Sequence, residues 1–129
     1  MEPVKEIIQE RTGKCPGMYF DRDNEMLLIE GRSIPENPEL VFRPLRVWIE
    51  KYFPEHENLN IKIILEYINS GSSKHLMSVL KILRLYQSNG KKLKIDWFYE
   101  EGDESILELG EHFSETSGLP IDIEMLSAE

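Results

Sequence analysis

The spacing of apolar residues changes repeatedly along the chain, and each change predicts a new element. Met18 and Phe20, then Met26 to Ile29, read as two short extended runs on either side of the turn-prone pair Asp23-Asn24, which predicts a hairpin. After a Pro-rich stretch from Ile34 to Pro38, the residues Phe42, Leu45, Trp48, Ile49, Tyr52 and Phe53 recur at helical spacing until Pro54 ends the pattern. Ile61, Ile63, Leu65 and Tyr67 then alternate with Lys62, Ile64, Glu66 and Ile68. Half of this second set is apolar too, which predicts a central strand covered on much of both faces. A polar break, Asn69 to Ser73, precedes a second helical run of Leu76, Val79, Leu80, Leu83 and Tyr86, with Asn89-Gly90 as its stop. Leu93, Ile95, Trp97 and Tyr99 alternate again. Ile106, Leu109, Gly110 and Phe113 predict a third helix closed by Gly118, and Ile121, Ile123 and Met125 a last strand.

The predicted order is β-β-α-β-α-β-α-β. Strands separated by helices join as parallel neighbours through right-handed crossovers, whereas the first hairpin is antiparallel. The expected fold class is therefore α/β: one mixed sheet with about three helices packed on it. Residues 1–14 carry no clear period and are read as either an edge strand or a mobile segment. With 129 residues, 40% of them hydrophobic, and no internal repeat or Gly/Ser linker, the expectation is a single domain spanning 1–129.

Charge and motif content narrow the function classes. A formal net charge of -9 repels nucleic-acid phosphates and anionic lipid, so neither is expected as a main partner. No window is apolar enough to span a membrane, and the stretch from Met1 to Glu6 lacks a basic-then-apolar leader pattern, so the expected location is the cytoplasm. One cysteine, Cys15, and three scattered histidines give neither a disulfide nor a zinc site by spacing. There is no nucleophile elbow, phosphate-binding loop or dinucleotide fingerprint, and His56, His75 and His112 read as surface residues. The acidic group Glu100, Glu101, Asp103 and Glu104 matches no calcium loop, and its simplest role is to cap and charge the start of the third helix through Asp103 or Ser105. No catalytic residue, metal or cofactor is expected.

The polar break Asn69-Ser70-Gly71-Ser72-Ser73 is the most informative segment. It falls where a central strand ends and a helix begins, the edge at which sheets of this kind meet ligands and partners. Two readings are open. Ser70, Ser72 or Ser73 caps the helix; alternatively a serine here accepts a phosphate, which the helix N-terminus and Lys74 would tolerate while the surface changed sign.

Several motifs also resemble a known family. The run Gly31-Arg32-Ser33-Ile34-Pro35-Glu36-Asn37-Pro38 is followed by Phe42, Pro44, Trp48 and Tyr52. Beside it stand Tyr67-Ile68-Asn69-Ser70, Ser72-Ser73-Lys74, Gly90, Trp97-Phe98-Tyr99 and Asp103-Glu104. Together they resemble the SiaC-like bacterial regulatory phosphoproteins over roughly Pro16 to Ile123. The resemblance implies a non-enzymatic switch, phosphorylated by a partner Ser/Thr kinase and dephosphorylated by a PP2C-type phosphatase. It also implies that the unphosphorylated form binds and regulates a protein such as a diguanylate cyclase, in cyclic-di-GMP and biofilm signalling. The family's phosphorylated threonine follows an Asn and matches Ser70 here, with Gly71 in place of the next serine; Ser72 is the alternative acceptor. Ser33, Pro35, Glu36, Asn37, Asn69, Gly71, Ser73 and Lys74 are the expected partner-binding residues, which requires the segment at Ser33 to lie beside the Ser70 loop. The competing expectation is a constitutive adaptor without phosphorylation control.

Overall fold

In the computed structural model, which describes residues 5–126, six strands form one sheet in the order in which they occur along the chain. They are β1 (Lys5–Gln9), β2 (Gly17–Asp21), β3 (Met26–Ser33), β4 (Asn58–Ile68), β5 (Lys92–Tyr99) and β6 (Ile121–Met125). The β1–β2 and β2–β3 pairs are antiparallel, and β3 through β6 pair in parallel. Each parallel step is bridged by a helix: α1 (Pro38–Tyr52, with a 3-10 turn at Phe53–Glu55), α2 (Ser70–Ser88) and α3 (Glu104–Ser117). Because every crossover steps the same way across the sheet with the same hand, all three helices share one face.

The expected α/β class and order stand, with one strand added. β1 comes from the stretch 1–14, pairs with β2 as an edge strand and shifts register between Ile7 and Gln9; Met1 to Val4 lie outside the described residues. The first helix starts at Pro38, earlier than its apolar period, because Asn37 caps it and Pro38 sits at N1, where the missing N–H costs nothing. Pro44 lies inside this helix and leaves the carbonyl of the exposed Leu40 to water.

One expectation is corrected. β4 is interior to the sheet but covered on one face only: Leu59, Ile61, Ile63 and Leu65 are buried, whereas Lys62, Ile64 and Glu66 on the opposite face are half-buried or exposed. The apolar Ile64 imitated a two-sided strand, yet the helices occupy a single side. Fully burying a residue such as Ile63 contributes about 1.5–3 kcal/mol, so this row, facing Leu45, Ile49, Val79 and Leu83 of α1 and α2, is a main source of stability. On α3, Gly110 allows close approach to β5. A Cβ there would fall 2.4 Å from Trp97 Cδ1, and Trp97 Nε1 donates to Ile106 O at 2.9 Å. No helix among the described residues is long and apolar enough to cross a membrane.

Candidate functional site

β3 and β4 run side by side to their C-terminal ends, where Ser33 pairs with Ile68. The chain then leaves β3 through Ile34–Asn37 into α1, and leaves β4 through Asn69 into α2. Parallel pairing thus brings together two segments that lie more than thirty residues apart, and Asn69 joins them. Its N–H donates to Ser33 O at 2.9 Å and its Nδ2 donates to Pro35 O at 3.3 Å. Its Oδ1 accepts the Ser72 N–H at 2.8 Å, and its carbonyl accepts the Ser73 N–H at 2.9 Å. One side chain therefore caps α2 and fixes the approach to α1.

The expectation that a serine caps α2 is overturned here. The serines lie inside the first turn, so the capping position falls to Asn69, a residue type that caps as well as serine does. The Ser72 hydroxyl has another role. It is fully buried and accepts from the equally buried Ser33 Oγ at 2.8 Å, latching the end of β3 to α2. In this position it is not accessible to a modifying enzyme.

Ser70 differs from its neighbours. It occupies N1 of α2, is exposed, and its hydroxyl makes no hydrogen bond among the described residues. Lys74, one turn further along the same face, is also exposed, while Ser73 is half-buried. Gly71 allows the two helix starts to touch, since a Cβ on it would lie 3.1 Å from Pro38 Cγ. A serine at this position would make the neighbour give by a few tenths of an ångström. Pro35 is buried, Glu36 is exposed, and Asn37 accepts the Glu39 N–H through Oδ1 at 3.2 Å. The two expected groups, Ser33 to Asn37 and Asn69 to Lys74, thus form one continuous edge.

Sequence reasoning did not find the charged cluster behind this edge. Glu39, in the first turn of α1, accepts from Arg43 at 3.2 Å and from Arg46, and lies 3.6 Å from His75 Nδ1 on α2. The hydrogen bond from Arg46, reinforced by Arg43, holds the Glu39 carboxyl below its ordinary range. His75 also stacks on Phe42, with ring centroids 6.0 Å apart. The spacing of Glu39 and Arg43 at i, i+4 was a visible local signal, whereas His75 joins only through the packing of α1 on α2. In the acidic group ahead of α3, Asp103 is the cap, its Oδ1 accepting the Ile106 N–H at 3.1 Å.

A family model described as SiaC family regulatory phosphoprotein matches residues 9–126. The chain belongs to the SiaC family. A curated relative, an uncharacterized protein of Pseudomonas aeruginosa strain UCBPP-PA14, is 28% identical over 114 residues, covering 88% of this chain and 90% of the relative. Among solved structures, the complex of the diguanylate cyclase SiaD with its activator SiaC from Pseudomonas aeruginosa matches with a TM-score of 0.84 and 27% identity over 92% of this chain and 98% of that one. Apo-SiaC of the same organism matches with a TM-score of 0.81 and 26% identity over 96% and 99%. The chain is thus a regulatory protein by family, and its fold extends over almost the whole of these relatives.

Proposed function

We propose that this protein is a non-enzymatic, cytoplasmic switch that binds a diguanylate cyclase in its unphosphorylated form and is released when Ser70 is phosphorylated. A Ser/Thr kinase and a PP2C-type phosphatase set the balance between the two forms. The observation that carries this reading is the contrast among the serines of the α2 start. Ser70 presents a free, exposed hydroxyl at N1, whereas the Ser72 hydroxyl is buried against Ser33. The Pseudomonas aeruginosa relative supports it further, since that SiaC is the activator of the cyclase with which it was solved.

The physical consequence of modification is local. A phosphate on Ser70 brings about two negative charges to the N-terminus of α2, where the helix dipole favours an anion, so the fold is kept. The surface, however, changes sign and volume. A partner contact that tolerated a neutral hydroxyl meets a like-charge or desolvation cost, and even a tenfold loss of affinity needs only about 1.4 kcal/mol.

The test is peptide-level mass spectrometry after incubation with the cognate kinase and ATP, followed by cyclase binding with Ser70→Ala and Ser70→Asp. A single phosphate at Ser70, tight binding by Ser70→Ala and at least about tenfold weaker binding by Ser70→Asp are expected. Equal binding by the two variants would indicate a constitutive adaptor instead.

A further inference from the structure

The outer face of α2 continues from Ser70 into a groove against α3. The groove has a volume of about 330 Å³ and contains Lys74 and Lys81 from α2 and His112 from α3, with Met77 between the lysines and hydroxyl side chains beside them. Among the described residues no carboxylate lines it, although the chain as a whole carries a net charge of -9. Glu108, Glu111 and Glu115 stand on the same helix as His112. Even so, among the described residues neither Lys74 nor Lys81 has any carboxylate within 4.0 Å. Lys91, by contrast, meets Glu57, and Lys94 lies within 4.0 Å of both Asp96 and Asp122. Two cations held at the rim of a concave surface, with no carboxylate of the described residues beside them, are complementary to carboxylates supplied from outside.

The spacing specifies the shape of the occupant. Lys74 and Lys81 are seven residues apart, two helical turns or about 10 Å, and the half-buried Met77 lies between them. A partner helix carrying two carboxylates two turns apart, with an apolar side chain between them, matches both charges and the thioether together.

We propose that this groove receives an acidic amphipathic helix of the regulated partner. The inference rests on the switch reading above and gives it a mechanism. Ser70 lies one turn before Lys74 on the same face, so a phosphate there would compete with the partner's carboxylates for that lysine. Phosphorylation would then release the partner by occupying its charge site, without moving the fold.

The test titrates the isotope-labelled protein by NMR with a synthetic helical peptide of about 18 residues, five turns, bearing a central Leu flanked by Glu two turns apart. A matched peptide with Gln for Glu, and inorganic phosphate, serve as controls. The acidic peptide should perturb the amides of Ser73, Met77, Lys81 and His112, and its binding should weaken with rising salt. Affinity should fall at least about tenfold in Lys74→Glu/Lys81→Glu and less in Lys74→Gln/Lys81→Gln, both of which alter only surface residues. Ser70→Asp should weaken binding severalfold. The groove proposal is overturned if the wild-type protein shows no perturbation there, if the Gln peptide binds equally, if inorganic phosphate reproduces the whole pattern, or if the charge-reversed variant binds unchanged. Loss of binding in that variant with none in Ser70→Asp would keep the groove and overturn control by Ser70, so the two readings fail separately.

Discussion

The two ends of the parallel strands are held together by different means. At the C-terminal end, where β3 and β4 finish, a handful of directional polar contacts made by Asn69, Ser33 and Ser72 join two helix starts. At the opposite end, rings do the joining. Tyr52 stacks on Trp48 with centroids 4.8 Å apart and on His56 at 4.2 Å, and meets Phe20 and Phe53 edge-on at 5.2 and 5.3 Å. Its hydroxyl also donates to Asn58 O at 2.5 Å, tying α1 to the start of β4. Ring contacts draw their energy from buried area and tolerate small shifts; hydrogen bonds at a strand end contribute less and tolerate little. The aromatic end therefore supplies stability, and the polar end supplies position to the surface that carries Ser70.

The largest effect expected from this comparison is at the aromatic end. Tyr52→Ala removes a buried ring with four ring neighbours, and large aromatic truncations of this kind cost about 3–5 kcal/mol. Urea unfolding should show the loss as a lower midpoint. The remaining folded molecules should keep an unaltered amide spectrum around Ser70. A spectrum changed at Ser70 but not around β2 would reverse the assignment of roles.

Next in size is the buried hydroxyl pair. Ser33→Ala leaves the Ser72 Oγ without its partner in an enclosed site, which costs about 1–3 kcal/mol. Adding Ser72→Ala should cost little more, because the second change removes a group that the first had already orphaned. A double-mutant cycle measures this directly: additive losses would mean that the two hydroxyls do not act as a pair.

The sequence disclosed these two ends unequally. Period changes located the ring-bearing α1 and the strands that it covers, since Trp48, Ile49 and Tyr52 repeat at helical spacing whatever their partners. For β1 the sequence left an edge strand and a mobile segment both open, because Lys5 to Gln9 contains only the adjacent pair Ile7-Ile8, with no alternation, and it is pairing with β2 that makes it the edge strand. The early start of α1 was legible in Asn37-Pro38, a cap followed by an N1 proline, but apolar spacing alone does not report it. At the polar end the motifs at Ser33 and Ser70 stood out singly. Their contact needed the register of β3 on β4, and the burial of Ser72 beside the exposure of Ser70 needed the turn of the helix. No local pattern distinguishes N1 from N3 until the cap is known to be Asn69.

Asn69→Ala sharpens the comparison at lower cost. Losing the cap is expected to cost about 1 kcal/mol, less than the ring, while disturbing both segments that Asn69 joins. Amide shifts should extend from Pro35's neighbours through Ser73. Asn69→Asp keeps an acceptor for the Ser72 N–H and loses the donor to Pro35 O, so its shifts should concentrate on the β3–α1 segment. Shifts confined to α2 in both variants would mean that Asn69 is only a helix cap.

The smallest effects separate the two ends by pH. Glu39, behind the polar edge, is held below its ordinary value of 4.5 by Arg46 and Arg43. The unfolded chain therefore takes up this proton at a higher pH than the folded one, and the contribution, complete above 4.5, is lost as pH falls through the depressed value. Tyr52, at the aromatic end, is shifted the other way. Burial, aided by the charge of Glu25, pushes its phenol up from 10.0 to about 12. Between these values the unfolded chain has released the proton while the folded one retains it, so stability falls as pH rises through that window. Glu39→Gln should thus lower stability at neutral pH and converge with the parent in acid, whereas Tyr52→Phe should remove part of the alkaline loss and leave the acid limb alone. Phenolate absorbance against pH should show a component ionising at about 12 that is absent from Tyr52→Phe. If both substitutions altered the same limb, the two ends would be electrostatically coupled across the sheet, and the division between a stabilising end and a positioning end would fail.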